Sequence, residues 1–108
     1  MSVAVAIRRG SLHLSAAVYE RYFAGLAAVV LLRRGDGLLV LPVRFAGGGG
    51  YLAKQRNGAG DRVVDAADFF REQGLADAGE WNVAAAWDAG DMGLRIDGIF
   101  APVMDKVE

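Results

Sequence analysis

Residues 15–26 read SAAVYERYFAGL, and residues 65–75 read DAADFFREQGL. Each stretch has a small polar residue that can cap a helix, then two alanines, aromatic side chains, an arginine and a closing Gly-Leu pair. Each follows a short apolar segment and precedes a hairpin pattern with Gly-Asp at its turn. Because a unit that occurs twice decides the architecture of a chain this short, the sequence predicts two strand–strand–helix–hairpin repeats. The alternative is a chance match between two segments rich in alanine and glycine.

The two repeats would share a single domain of 108 residues. We place repeat 1 at about residues 3–43, a Gly-rich linker at 44–50, repeat 2 at about 51–100 and a short tail at 101–108. The linker is indicated by four consecutive glycines, which hold a regular element only at an entropic cost. The predicted fold class is α+β, with both repeats contributing to one mostly antiparallel β-barrel.

Local signals set the predicted ends of the elements. Ser15 and Asp65 are residue types that accept the free N–H groups at a helix start, so each is predicted to cap one helix. The Gly-Leu pair at 74–75 is typical of a helix C-terminus. Alternating polarity predicts one strand over residues 51–56, and residues 94–100 are predicted as the last strand.

Composition excludes several classes of protein. The chain has no cysteine, which rules out a disulfide scaffold and a thiolate zinc site. The longest apolar run, residues 22–32, is too short to cross a bilayer, and the N-terminus runs apolar and then basic, the reverse of a signal peptide. We therefore expect a cytoplasmic protein without membrane contact. A hydrophobic content of 54% is high for a small monomer and favours a homo-oligomer or a protein partner.

Charge is distributed unevenly along the chain. Residues 1–64 carry nine Lys and Arg against three acids, whereas residues 65–108 carry three against ten. This asymmetry suggests a positive face and a negative face. The alternative is that the two ends neutralise each other within the fold.

The segment GDRVVDAADFFREQGL at residues 60–75 resembles the signature of swapped-hairpin AbrB-type domains. In that family a Gly-Arg step leads into an apolar strand, a helix start, a short helix and Gly-Leu or Gly-Ile. Residues 10–26 are similar but lack the arginine after the glycine. Two such units in one chain resemble the MraZ arrangement. The resemblance implies a swapped-hairpin-like barrel and a DNA-binding transcriptional regulator, although the proline that commonly follows the second strand is absent here.

Family members that bind DNA use basic side chains on the first hairpins. The resemblance therefore implies contacts to double-stranded DNA from Arg8 and Arg9 in the first half, and from Lys54, Arg56 and Arg62 in the second. Five cations on one face could neutralise phosphates and release counterions. The alternative is that these side chains solubilise hairpin tips or pair with the aspartates of the second half.

A second functional hypothesis is a non-catalytic protein-binding module, such as an antitoxin-like partner or an accessory or assembly factor. The acidic second half, the apolar composition and the missing prolines favour it. The two hypotheses differ in whether the basic hairpins form one continuous surface or are covered by the aspartates.

No enzyme, metal site or cofactor is predicted, because no nucleophile–base–orienter set is visible. His13 is the only histidine, and its alternation with apolar neighbours predicts that it faces solvent or a partner. The glycines at 47–50 precede a strand rather than a helix, which argues against a phosphate loop. Trp81 and Trp87 lie six residues apart on a predicted strand, so both are expected to point to the core.

Overall fold

A computed structural model describes residues 2–101 as a small α+β domain with mostly antiparallel strands. Helix α1 (Ala16–Tyr22) follows the second strand of the chain, and helix α2 (Ala67–Glu72) follows the seventh. The strands, in chain order, are β1 (Ser2–Arg8), β2 (Ser11–Leu14), β3 (Ala28–Arg34), β4 (Gly37–Val43), β5 (Tyr51–Leu52), β6 (Lys54–Gln55), β7 (Arg62–Asp65), β8 (Glu80–Asp88) and β9 (Gly93–Ile96).

All nine strands belong to one sheet in the order β5-β3-β4-β9-β8-β1-β2-β7-β6. β5 and β6 are separated in sequence by Ala53 alone, yet they pair with opposite ends of the sheet, β3 and β7. The N–H of Ala53 donates to the carbonyl of Ala27 at 2.9 Å, and its side chain is buried. The segment at 51–55 therefore bridges the two ends and leaves the sheet a nearly closed barrel.

The barrel interior holds a continuous apolar core. Residues Leu12 and Leu14 of β2 are buried on either side of half-buried His13, which is the alternation expected of a strand with one face inward. The largest side chains with less than 2% exposure are Phe23, Phe70, Ile7, Leu12, Leu14, Leu38, Leu39, Leu94, Ile96, Val29, Val40 and Val64. Trp81 and Trp87 pack against this core as predicted, although both are only half-buried.

The two helices begin in different ways. The hydroxyl of Ser15 accepts the N–H of Val18 at 3.2 Å, which confirms the predicted cap of α1. The predicted Asp65 cap of α2 is wrong. The residue at the cap position is Ala66, whose methyl side chain cannot accept a hydrogen bond. The Asp65 carboxylate instead accepts from Ser11 and Lys54 on neighbouring strands.

The C-terminus of α2 follows the prediction from its Gly-Leu pair. Gly74 has φ 93°, and its N–H donates to the carbonyl of Arg71 at 3.0 Å. The N–H of Leu75 donates to the carbonyl of Phe70, also at 3.0 Å. These two bonds form a Schellman motif, which satisfies carbonyls left free at the helix end.

Two predicted strands differ from the structure. The single strand over 51–56 is wrong, because the chain bends at Ala53 to pair with both ends of the sheet. The last strand ends at Ile96 rather than at Phe100. Gly98, with φ 74°, turns the chain there, and Phe100 returns to the core with its N–H on the carbonyl of Asp36.

The turns of the first hairpins contact the helix starts of opposite halves. The carbonyl of Gly10 accepts the N–H of Ala66 at 3.0 Å, and a Cβ added to Gly10 would lie 2.7 Å from the Cβ of Ala67. On the other side, a Cβ added to Gly60 would lie 3.4 Å from the Cβ of Ala16. There is therefore no room for a side chain between Gly10 and α2, whereas a Cβ at Gly60 would make an ordinary van der Waals contact with α1.

No helix within residues 2–101 has the length and apolar character needed to span a membrane.

Candidate functional site

A cleft with a volume of about 240 Å³ opens on the outer side of β1 and β2. Three of the five predicted basic residues line it: Arg8 at the end of β1, Arg56 just after β6, and Arg62 at the start of β7. His13 of β2 also lines it. The fold thus brings side chains from both halves of the chain to one concave surface.

Arg62 is the most firmly positioned of the three arginines. Its guanidinium carbon lies 4.1 Å from the ring centroid of Tyr19, in a cation–π contact. One guanidinium nitrogen, Nη1, donates to the carbonyl of Ala53 at 3.3 Å. Its Nε is buried and has no hydrogen-bond partner within the described part of the chain. Arg62 therefore presents a fixed positive charge whose hydrogen-bonding capacity is only partly used.

The loop at residues 57–60 connects Arg56 and Asp61, which both line the cleft. The backbone N–H of Arg56 donates to the carbonyl of Asp61 at 2.7 Å, which closes the loop. The Asn57 side chain organises it, because its Oδ1 accepts from the N–H groups of Ala59 and Asp61. Its Nδ2 donates to Asp61 Oδ2 at 3.0 Å. These hydrogen bonds together fix where Arg56 leaves the sheet.

Asp61 is the one carboxylate among the residues that line the cleft. Its Oδ1 accepts the N–H of Ala16 at 2.8 Å, so it supports the start of α1 from the opposite half of the chain. Hydrogen bonds from Asn57 and from the Ala16 backbone, with the nearby charge of Arg56, hold the pKa of Asp61 below its ordinary value. Both carboxylate oxygens already accept protein hydrogen bonds, so Asp61 forms no ion pair with an arginine of the cleft among residues 2–101.

The surroundings of His13 favour the neutral form of its ring. Burial lowers the pKa of His13 below its ordinary value, and the charges of Arg8 and Arg56 lower it further, against a smaller opposite effect of Asp65. Its Nδ1 is buried without a hydrogen-bond partner in the described residues. The prediction that His13 faces solvent or a partner needs refinement, since the ring is half-buried in the cleft wall.

The other two predicted basic residues lie outside the cleft and have acidic partners. Arg9 occupies the β1–β2 turn and lies 3.6 Å from a carboxylate oxygen of Glu80, with 77% of its side chain exposed. Lys54 lies 3.0 Å from Asp65. Both partners lie in the acidic segment at residues 65–108. The five basic residues are therefore divided into three cleft arginines without an acidic ion-pair partner in the described chain and two paired cations.

The structure places no metal-binding group of three or more His, Asp or Glu residues within residues 2–101. The glycines at 47–50 lie in a turn that leads into β5, as predicted. The Asn-Gly step at 57–58 predicts the turn found there, but sequence reasoning missed that the Asn57 side chain would organise it. It also missed that His13 and Arg62 would line the same cleft, because they come from strands that pair only in the folded barrel.

Comparison with protein-family models, with curated proteins and with solved structures gives no match to this chain.

Proposed function

We propose that the protein is a cytoplasmic, homo-oligomeric DNA-binding transcriptional regulator that docks its cationic cleft and the adjoining β1–β2 turn on duplex DNA. The observation that carries this proposal is the meeting of Arg8, Arg56 and Arg62 at one surface without an acidic ion-pair partner among residues 2–101. An arginine guanidinium matches phosphate oxygens with parallel N–H groups, and its charge releases counterions from the duplex.

The proposal includes two swapped-hairpin repeats, which the strand pairing supports. In the first half β1 pairs with β8 of the second, and in the second half β5 pairs with β3 of the first. The pairs β2–β7 and β4–β9 join strands that hold equivalent places in the two halves. If each strand of one half is exchanged for its equivalent in the other, with β5 and β6 counted as one strand, every strand pair is replaced by a pair that the sheet also contains. The contacts of Gly10 with α2 and of Gly60 with α1 follow the same exchange.

The β1–β2 turn has a geometry suited to reaching into a groove. Arg8 pairs with Ser11, so Arg9 and Gly10 form a two-residue turn. Both have positive φ, 52° and 82°, as the preferred type I′ hairpin turn requires. A left-handed conformation is costly for arginine, and such strain is a reason to suspect function. In the proposed complex the exposed Arg9 side chain leaves Glu80 and contacts a base edge or a phosphate.

Fluorescence anisotropy with a random pool of labelled duplexes, at low and at physiological salt, tests the proposal. We expect binding that weakens steeply with salt. Replacing Arg8 and Arg56 together by glutamine should flatten the plot of log affinity against log salt by about 0.9 for each DNA phosphate that the variant no longer neutralises. Arg44→Gln is the matched control, because Arg44 is exposed and does not line the cleft.

Two results would contradict the proposal. One is the absence of binding at low salt by the folded protein. The other is an equal loss of affinity for each charge removed in the cleft variant, which lacks two, and in Arg44→Gln, which lacks one. That result would mean that only total charge matters.

A second candidate function is a non-catalytic protein-binding module, which the exposed apolar side chains favour. Phe45 is 79% exposed and Leu52 is 54% exposed, and Lys54 is neutralised by Asp65 as that hypothesis anticipates. Failure of the folded protein to bind duplex at low salt would support this function over the first. Loss of self-association in Phe45→Ser, measured by sedimentation equilibrium, would then place a protein-binding surface at Phe45.

A further inference from the structure

The cleft has the size and chemistry of a site for a small anion. Its volume of about 240 Å³ lies just below the roughly 300–1,000 Å³ of pockets that enclose drug-sized ligands. Three arginines and one aspartate line it, so its charge is positive while His13 is neutral. A concave surface with this balance concentrates anions, because the surrounding protein screens charge less than water does.

The hydrogen-bonding groups of the cleft match a tetrahedral oxyanion. Arg8 and Arg56 make no side-chain hydrogen bond within residues 2–101, and Arg62 makes one, to the carbonyl of Ala53. Planar guanidinium groups donate paired N–H bonds to phosphate oxygens. The unpartnered nitrogens of His13 and Arg62 add two buried polar atoms at the wall. Buried polar atoms without partners are rare in native proteins and call for an explanation.

Several arginines elsewhere in the molecule pair with acidic residues. Arg95 bridges Asp88 and Asp97, Arg34 pairs with Asp91, and Arg71 pairs with Asp77. The cleft arginines have no such partner among residues 2–101, and the one carboxylate that lines the cleft, Asp61, accepts hydrogen bonds from the Ala16 backbone and from Asn57.

We propose that this cleft is a binding site for a phosphate group, held by Arg8, Arg56 and Arg62 against His13. The phosphate belongs either to a free phosphorylated small molecule or to the backbone of a nucleic acid, and the same contacts serve both. This site does not depend on the proposed regulator function, because a free phosphate compound can occupy it without DNA.

The single histidine is a built-in reporter for the test. NMR of the His13 ring in the full chain gives one set of resonances, which is titrated with inorganic phosphate and, at equal ionic strength, with chloride. We expect a saturable shift with phosphate alone. A bound anion favours the imidazolium, so phosphate should also raise the pH at which the ring titrates. The charges of Arg8, Arg56 and Arg62 oppose a positive charge on the ring, and those of Asp61 and Asp65 favour it.

Matched variants make the test specific. Arg56→Gln should weaken phosphate binding by about tenfold or more, since it removes a charged hydrogen-bonding group. Arg8→Gln is a second variant with the same expectation, and Arg44→Gln should leave the affinity unchanged. Equal shifts in phosphate and chloride, or phosphate affinity that neither cleft variant alters, would overturn the proposal.

A last arm identifies the source of the phosphate. If a short duplex shifts the same His13 resonances and competes with inorganic phosphate, the site takes a backbone phosphate. If the duplex leaves His13 unchanged while adenosine 5′-monophosphate binds, the site takes a free phosphorylated compound. The second result would count against the regulator proposal and leave the phosphate site intact, so the two proposals fail separately.

Discussion

Replacing Gly10 by alanine tests the contact that joins the two halves of the chain. Gly10 is buried in the β1–β2 turn with φ 82°, and the new Cβ would lie 2.7 Å from the Cβ and 2.8 Å from the Cα of Ala67. Backbone strain at this φ costs about 1 kcal/mol. Forcing a methyl group into a filled space costs about 1–3 kcal/mol more. We therefore expect Gly10→Ala to lower the free energy of unfolding by about 2–4 kcal/mol.

Two other glycines separate strain from packing. Gly25 has nearly the same φ, 80°, and nothing within 4 Å of an added Cβ, so Gly25→Ala should cost only the strain, about 1 kcal/mol. Gly60, with φ 96° and its nearest atom at 3.4 Å, should resemble Gly25. Since about 1 kcal/mol changes the melting temperature of a domain this size by roughly 4–8 °C, the difference is measurable.

Thermal and urea unfolding of the three variants beside the wild type provide the assay. The expected order of destabilisation is Gly10→Ala well above Gly60→Ala and Gly25→Ala. A Gly10→Ala variant no less stable than Gly25→Ala would refute the reasoning, because it would mean that the turn and the start of α2 are not in close contact.

Two further predictions concern single side chains. Arg9→Asn should stabilise the protein by about 1 kcal/mol in urea unfolding, since asparagine tolerates the φ of 52° and the exposed pair with Glu80 contributes little; lower stability would contradict this. The Ser11 hydroxyl and then the Lys54 ammonium hold the pKa of Asp65 below its ordinary value of about 3.9. The ionised carboxylate therefore contributes its full stabilisation of the fold above about pH 3.9, and this contribution is lost as the pH falls through the lowered pKa. Asp65→Asn should cost about 1 kcal/mol or less at neutral pH and nothing at the acid end of the titration, and a difference that persists there would contradict the assignment.

Elements defined by local signals could be predicted from the sequence. The cap of α1 depends on Ser15 and a backbone N–H three residues later, and the end of α2 depends on the φ of Gly74. Asp65 shows where such reasoning stops, because a carboxylate suited to capping is drawn instead to Ser11, 54 residues away in sequence. The choice between a local and a distant partner depends on strand pairing, which the sequence pattern does not specify.

The candidate site could be predicted only in part, for the same reason. The basic residues were visible on the predicted hairpins, but their division into a cleft set and a paired set was not. Arg9 lies beside Glu80 because β1 pairs with β8 in a register that sets Arg8 opposite that residue. Likewise His13 and Arg62 line the same cleft because β2 pairs with β7. Neither contact has a signature within one segment.

Because the chain crosses between the two ends of the sheet at Ala53, closure of the barrel depends on one short segment. Residues 51–55 form hydrogen bonds along one edge of β3 and one edge of β7. Detachment of this segment would therefore leave the backbone groups of both edges unpaired in a single step. Exposed rows of this kind recruit strands from other molecules. The amide protons of β3 and β7 that pair with this segment should therefore exchange with solvent at the same rate. The same local opening would allow domain swapping between two chains or the start of aggregation.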